Sequence, residues 1–165
     1  MKSEFKIQVT TGSMFQFLMY HTYHGFSGIF GTVLGVALIA YFVSPLSEGN
    51  MNRWMYLVFG AIFLVYQPWS LYTRAAKQTK LNPVFKQPLT YTVAEEGLQV
   101  IQGEAANEIA WNNVYKVRET AQNIYVYTNS RNAFIWVKSQ MGTEEAAVKK
   151  MLTDHVPAAK RKLKG

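Results

Sequence analysis

The sequence predicts an α+β membrane protein. A hairpin of two transmembrane helices would join a small antiparallel β-barrel or sandwich closed by a C-terminal helix. Three observations predict this class. Residues 25–43 and 54–73 carry no charged side chain, and only residues 44–53 separate them. Past residue 88 the apolar residues alternate as they do in strands, and residues 143–155 return to a helical pattern.

The two uncharged stretches have the length of membrane spans. Each holds about 20 residues, or roughly 30 Å as a helix, which matches the hydrocarbon core of a bilayer. A core helix of a soluble protein would carry a polar stripe, whereas Gln67 is the one strongly polar side chain between Arg53 and Arg74. We therefore expect three regions. They are an N-terminal strand and interfacial helix (1–24), a transmembrane hairpin (25–80, with spans 25–43 and 54–73), and a β domain with a C-terminal helix and a basic tail (86–165).

The charges that flank the spans predict their orientation. The connector carries Glu48 and Arg53, which cancel, whereas residues 74–88 hold four bases and no acid. Positive charge is retained on the cytoplasmic side of a membrane. The chain is therefore expected in the plasma membrane as a multi-pass protein with both termini cytoplasmic.

The net charge of +7 is concentrated beside the second span and at the C-terminus. Arg74, Lys77 and Lys80 form what we call the basic collar. Both the collar and the tail are expected to lie against anionic lipid headgroups, at about 1 kcal/mol for each base. The predicted tail residues are Lys160, Arg161 and Lys162. For the tail, a solvated and frayed helix end is the alternative. This distribution does not predict a nucleic-acid-binding face.

Small residues line one face of the first span. Ser27, Gly31 and Gly35 are spaced by four, which lets another helix approach closely in lipid. The second span offers a matching small patch at Gly60. The face is expected to pack against this second span, and self-association or a partner's helix is the alternative.

The β domain reads as about six strands separated by turns at intervals of roughly ten residues. The N-terminal segment 5–10 also alternates like a strand and could join the same sheet. In the closing helix, Thr143 is expected at the N-cap, with Glu144 and Glu145 in the first turn. Three large aromatic residues are expected in the core of this domain: Trp111, Tyr115 and Trp136.

The β domain resembles a known bacterial family. The segments YTVAEEGLQV (91–100), EIAWNNVYKVRET (108–120), IYVYTNSRNAFIWVK (124–138) and GTEEAAVKKML (142–152) are similar to those of YcxB-like proteins. The resemblance extends over nearly the whole chain. It implies two transmembrane helices joined to a C-terminal domain with a pleckstrin-homology-like fold, and it implies this architecture far more than any activity.

One strand offers a surface for a protein partner. Tyr125 and Tyr127 share one face of it, and Ile124 and Val126 share the other. If the tyrosines face outward, they would form an aromatic and basic patch with nearby arginines. The residues of this predicted surface are Tyr125, Tyr127, Arg118 and Arg131.

The sequence offers no catalytic or metal-binding pattern. It has no cysteine, no G-x-S-x-G motif and no phosphate-binding or dinucleotide-binding loop. His21 and His24 could share a helix face but have no third ligand at metal-binding spacing. We expect no enzyme activity, no metal and no cofactor.

These observations predict a membrane-anchored interaction or regulatory protein. Its cytoplasmic β domain, held at the inner face of the membrane, would bind another membrane protein in an accessory or immunity-type role. The partner is expected to be either another membrane protein or a second copy of the chain in a homo-oligomer. The alternative function is a sensor of anionic lipids that uses the basic collar.

Overall fold

The computed structural model describes residues 2–103 and 105–163, without the side chain of Ser27. The chain divides into two units, Phe15–Lys77 and the combination of Met1–Met14 with Gln78–Gly165. We call the first the helical unit and the second the sheet unit. The N-terminal residues therefore fold with the C-terminal half of the chain.

Four helices account for most of residues 11–81. They are α1 (Thr11–Tyr23), α2 (Phe26–Val43), α3 (Arg53–Ala61) and α4 (Gln67–Leu81). A π-helical segment, Ile62–Tyr66, joins α3 to α4 without a break. Pro68, two residues after this segment, has no N–H to donate to the carbonyl of Leu64, so the regular helical ladder is interrupted here. A π segment widens a helix by one residue per turn and is common beside functional sites.

By length and composition, one described helix could cross a bilayer. This is the continuous helix Arg53–Leu81, of whose most apolar stretch 11% is buried. The bent pair Thr11–Tyr23 and Gly28–Val43, with 77° between its two parts, would be a second such element if it forms one span. The predicted hairpin of two spans therefore stays a prediction.

The sheet unit contains eight described strands in two sheets. The strands are β1 (Ser3–Ile7), β2 (Leu89–Val93), β3 (Gly97–Gln102), β4 (Ala105–Ala110), β5 (Lys116–Glu119), β6 (Asn123–Tyr127), β7 (Ala133–Val137) and β8 (Arg161–Lys162). One sheet has the order β1-β2-β3-β4 and is antiparallel throughout. The other has the order β7-β6-β5-β8, in which only the short β8 is parallel to its neighbour. The N-terminal strand does join the first sheet, with Phe5 opposite Tyr91.

Aromatic rings hold the two sheets together. The ring of Trp136 in β7 lies edge-on to Phe5 at 5.3 Å and to Tyr91 at 5.7 Å. Tyr91 also contacts the ring of Phe134 at 5.6 Å. Ring pairs at these distances contribute about 0.5–1.5 kcal/mol beyond their burial. The core therefore lies between two sheets, and the expectation of a closed barrel is wrong.

Two further helices explain why the sheets do not close. They are α5 (Lys138–Met141) and α6 (Glu144–His155), and both contact β1. Gln140 of α5 accepts a hydrogen bond from the backbone N–H of Gln8, just beyond β1, at 2.7 Å. The edge of β1 is thus met by a helix where a barrel would place another strand.

The closing helix lies where the sequence predicts it. Val148, Met151 and Leu152 on its apolar face are buried. Thr143 precedes the helix, but its side chain makes no capping hydrogen bond, so the predicted N-cap is wrong in that respect. Among the predicted core aromatics, Trp136 is fully buried, whereas Tyr115 is 49% exposed and does not belong to the core.

Candidate functional site

Two glycines of α2, Gly31 and Gly35, lie against the helix that follows it in the same chain. A Cβ on Gly35 would stand 2.9 Å from Cγ of Leu64. A Cβ on Gly60 would stand 2.7 Å from Cγ1 of Ile39 and 3.0 Å from the carbonyl oxygen of Gly35. The small face is therefore used within the chain, which was the first of the two alternatives. The side chain of Ser27, predicted on the same face, lies outside the described part of the chain.

A polar pocket opens beside Gly31, the other glycine of the small face of α2. A Cβ on Gly31 would stand 3.0 Å from Oε1 of Gln67. The pocket has a volume of about 460 Å³, and we call it the helical-unit pocket. Its polar lining includes Thr22, Gln67, Ser70 and Arg74, and its apolar lining includes Phe30, Ile62 and Phe63. Sequence analysis predicted Gly31 and Arg74 for separate roles, and the structure brings them to one pocket.

The polar groups of the helical-unit pocket are not used inside the protein. Within residues 2–103 and 105–163, the side chains of Thr22, Gln67 and Ser70 form no hydrogen bond, and Arg74 forms no ion pair. Three of the four lie on α4 at positions 67, 70 and 74, a spacing that places them on one helix face. The arrangement can offer several donors and one positive charge to a ligand.

The remaining predicted lipid contacts fall into two groups. All three residues of the basic collar are exposed on α4. In the tail, Lys160 and Lys162 are exposed, whereas the Arg161 guanidinium donates hydrogen bonds to the carbonyl oxygens of Thr153 and Val156. Arg161 thereby caps the C-terminal end of α6. The tail is paired with β5 through β8, so its described part is not a frayed helix end.

The predicted tyrosine surface is corrected by burial. Tyr125 and Tyr127 are each 1% exposed, because β6 is an inner strand with both faces covered. Nη1 of Arg118 donates to the backbone carbonyls of Val117 and Lys160, at 2.7 and 2.9 Å. Arg131 is exposed in the turn after β6. The four residues do not form one exposed aromatic patch.

The cation that contacts Tyr127 is Lys116, not one of the arginines predicted beside it. Its ammonium lies 4.5 Å from the ring centre of Tyr127. Burial, and then the positive charge of Arg118, lower the pKa of Lys116 below its ordinary value. A cation held over an aromatic ring stabilises the strand pair β5–β6 and leaves little of this face for a partner.

Strand β4 is an exposed edge that sequence analysis did not single out. It forms one end of its sheet, and every residue in it is exposed except Ile109, which is partly exposed. Among the described residues, no strand pairs with its outer side. Its sequence, AANEIA, has no Pro and no Lys, the residues that commonly protect such edges.

The register of the sheet shows which backbone groups β4 offers. Ala94 and Gly97 exchange both backbone hydrogen bonds, at 2.9 and 3.3 Å, across the β2–β3 turn. Because such pairs alternate along antiparallel strands, Leu98 and Ile109 form the first hydrogen-bonded pair between β3 and β4. The residues whose N–H and C=O groups face away from β3 are therefore Ala106, Glu108 and Ala110.

A cleft of about 610 Å³ has lining residues in β2, β3 and β4 and reaches this edge at Glu108. Thr92, Gln99 and Glu108 line it, with Ile109 and Asn113 nearby. Gln99 donates a hydrogen bond to the Glu108 carboxylate at 3.2 Å. The cleft adds side-chain contacts to the backbone groups of the edge. A strand laid along β4 would meet both.

The structure offers no obvious metal centre in the part of the chain that it describes. No group of three or more His, Asp or Glu side chains there is placed to hold an ion. The predicted absence of metal, cofactor and enzyme activity stays a prediction.

The comparisons with known proteins give one match. The family model described as YcxB-like protein matches residues 93–150, which run from the end of β2 into α6. The resemblance is confirmed over this stretch, while its extension to the helical unit stays a prediction. No curated protein and no solved structure matches the chain. The pleckstrin-homology-like fold that the resemblance implied also stays a prediction.

Proposed function

We propose that the chain is a membrane-anchored, non-catalytic interaction protein whose sheet unit binds another membrane protein through strand β4. The observation that carries this proposal is the unpaired edge of that strand, which has neither Pro nor Lys. An accessory or immunity-type role would suit a chain whose sequence contains no catalytic motif. In this proposal the sheet unit lies at the inner face of the plasma membrane.

The exposed apolar surface of the helices supports membrane insertion. Phe30, Val33 and Val36 of α2 are 57%, 62% and 54% exposed, and Val65 and Trp69 of the following helix are 67% and 66% exposed. A core helix of a soluble protein would bury such side chains. The proposed topology is a two-span hairpin with both termini cytoplasmic. Residues 74–88 carry four bases, whereas the charges of residues 44–53 sum to zero. This difference supports the orientation.

Backbone pairing is the recognition mode that the β4 edge favours. An extended segment of a partner can add to an exposed sheet edge, and main-chain hydrogen bonds then supply the affinity. Ala106 and Glu108 would each offer one N–H and one C=O group. Ala110 would offer its N–H alone, because its C=O begins the 3-10 turn Trp111–Asn113. The adjoining cleft, lined by Gln99 and Glu108, would contact alternate side chains of the added strand.

The test compares two variants of the full-length chain in captures from solubilised membranes. Ala106→Pro removes one outward N–H and leaves the bonds to β3 in place, since Pro is tolerated on edge strands. Glu108→Ala changes a neighbouring side chain and keeps its N–H. We expect a membrane protein that the wild type and Glu108→Ala retain and that Ala106→Pro loses.

A purified pair then tests the contact directly. Hydrogen exchange should show protection of the amides of Ala106, Glu108 and Ala110 when the partner is added. Equal retention of the partner by Ala106→Pro and wild type, at equal thermal stability, would rule out strand addition at β4.

An anionic-lipid sensor is the second candidate function. The exposure of Arg74, Lys77 and Lys80 favours it, because none of these three forms an ion pair within the described residues. Lys77→Glu combined with Lys80→Glu should weaken association with vesicles that contain anionic lipid. Unchanged localisation and phenotype after this reversal would exclude the sensor and leave the interaction protein standing.

A further inference from the structure

We propose that the helical-unit pocket binds the phosphate group of an anionic phospholipid, with an acyl chain along its apolar wall. This inference rests on the proposed membrane insertion and names a specific lipid site within it. It does not depend on the partner proposed for β4.

The packing of the helices leaves the pocket open beside Gly31. At Gly35 and Gly60 the neighbouring helices are in close contact, with a built Cβ meeting other atoms at 2.9 and 2.7 Å. At Gly31 the nearest atom belongs to the flexible side chain of Gln67, and the next is 3.9 Å away. The π segment Ile62–Tyr66 lies directly before Gln67 and supplies three of the lining residues, Ile62, Phe63 and Tyr66, from its widened turn.

The unused polar side chains indicate that something else completes the site. In a bilayer there is no water to satisfy an amide or hydroxyl group, and leaving one unpaired costs several kcal/mol. Gln67 lies in the middle of an otherwise apolar stretch and makes no side-chain hydrogen bond to any described residue. Thr22 and Ser70 line the same pocket and likewise make no side-chain hydrogen bond to a described residue. A bound ligand with several acceptor oxygens would satisfy all three.

Charge and shape select the class of ligand. Arg74 is the only charged residue among those that line the pocket, so an anion fits it. A guanidinium binds a phosphate through two parallel hydrogen bonds, and phosphate oxygens can accept further bonds from Ser70 and Gln67. Phe30, Ile62 and Phe63 form the apolar wall and are 57%, 48% and 38% exposed. An acyl chain would pack along these three side chains. The same lipid's headgroup would then lie at Arg74.

The experiment uses the full-length chain in neutral detergent, with native mass spectrometry to count bound lipid. The probes are phosphatidylglycerol, phosphatidylcholine and inorganic phosphate. Wild type should retain a single phosphatidylglycerol in preference to phosphatidylcholine. Arg74→Gln should lower this retention about tenfold, the effect of losing a charge-assisted phosphate contact. Lys77→Gln is the matched control, since it removes another exposed charge from the same helix outside the pocket lining. It should lower retention by less than about twofold.

A second variant tests the pocket without changing its charge. Ser70→Leu fills the space beside Arg74 and keeps the guanidinium, so retention of phosphatidylglycerol should fall as far as in Arg74→Gln. Full retention by a folded Ser70→Leu would place the lipid on the outer surface and overturn the proposal. Equal losses in Arg74→Gln and Lys77→Gln would do the same, because they would show general attraction to the basic collar.

Two further results separate this inference from the proposed function. Displacement of the lipid by inorganic phosphate alone would identify a soluble-anion site and overturn the lipid assignment. A wild-type chain that sediments with membranes yet retains no lipid would overturn only the pocket. A wild-type chain absent from membranes would overturn the membrane insertion on which both rest.

Discussion

Nζ of Lys149 donates a hydrogen bond to Oε1 of Glu119 at 3.1 Å and ties α6 to β5. The Glu119 side chain is 1% exposed, so the carboxylate is removed from water. Lys138 forms a second ion pair with the same oxygen and a third with Glu145 at 3.5 Å. This cluster of four charges fastens the C-terminal helices to the second sheet. Its centre is a buried acid whose charge depends on two lysines.

Removing both lysines should destabilise the sheet unit strongly. Lys138→Met with Lys149→Met removes both of these cations from the buried carboxylate of Glu119, and breaking a buried ion pair typically costs about 3–5 kcal/mol. Thermal or urea unfolding of the full-length chain in detergent measures the loss. Lys150→Met, on the exposed side of α6, is the control and should change stability by less than about 0.5 kcal/mol. A double variant as stable as this control would show that Glu119 is not held by these partners.

The same cluster predicts a dependence on alkaline pH. Burial lowers the pKa of Lys138, but the hydrogen bond and charge of Glu119, with the charge of Glu145, raise it above the ordinary 10.5. A raised pKa in the folded state gives stability that is complete below 10.5 and is lost as pH rises through the folded value. Unfolding followed across this range should show wild type losing more stability than Lys138→Met.

The comparison with Lys138→Met matters because a second group acts in the same range. Burial raises the pKa of Tyr91 above its ordinary 10.0. The unfolded chain therefore ionises this phenol first, and stability also falls above 10.0 for this reason. Tyr91 contributes equally to both proteins. Parallel pH profiles for wild type and Lys138→Met would contradict the role of Lys138.

Local patterns predicted the elements well and their long-range arrangement poorly. Alternation of apolar residues and the presence of turn residues indicate strands such as β2 and β3. Both signals can be seen in a short stretch of sequence. β1 and β2 are paired although the whole helical unit lies between them in the sequence. Gln8 and Gln140, which are in contact, are separated by most of the chain. No local pattern reports that a helix meets the edge of β1, so the sequence left the choice between a barrel and a sandwich open.

The predictions of site residues were limited in a similar way, because local sequence does not report what covers a side chain. Alternation assigns Tyr125 and Ile124 to opposite faces of β6 but does not say how many layers cover each face. Arg161 was read as a lipid contact because its charge is visible in the sequence and its capping of α6 is not. The β4 edge left a sequence signal, since AANEIA follows a turn and lacks Pro and Lys. That signal carries meaning only once the strand is known to end a sheet.

A glycine in the first sheet should be intolerant of any side chain. Gly97 has φ of +156°, and a Cβ there would stand 2.3 Å from the carbonyl oxygen of Ile109. Gly97→Ala forces β4 away from β3 and should cost more than about 2 kcal/mol in unfolding. Gly103→Asn is the control, because φ of +58° suits Asn and nothing lies within 4 Å of the added Cβ. An alanine variant as stable as Gly103→Asn would mean that the β3–β4 pair is looser than described.

Helix packing in the helical unit can be tested by one matched pair of substitutions. At Gly60 an added methyl group would meet Cγ1 of Ile39 at 2.7 Å and the Gly35 carbonyl at 3.0 Å. The backbone atom cannot move aside cheaply, so Gly60→Ala should destabilise the chain by about 1–3 kcal/mol. Gly12→Ala adds the same methyl group 3.7 Å from Oγ1 of Thr10, an ordinary van der Waals contact at the start of α1. Because Ala favours helix, this control should be neutral or stabilising by up to about 1 kcal/mol. Thermal unfolding in detergent compares the two. Equal stability of both variants would mean that α2 and α3 do not pack through Gly60, and the small face would again be open to a partner's helix.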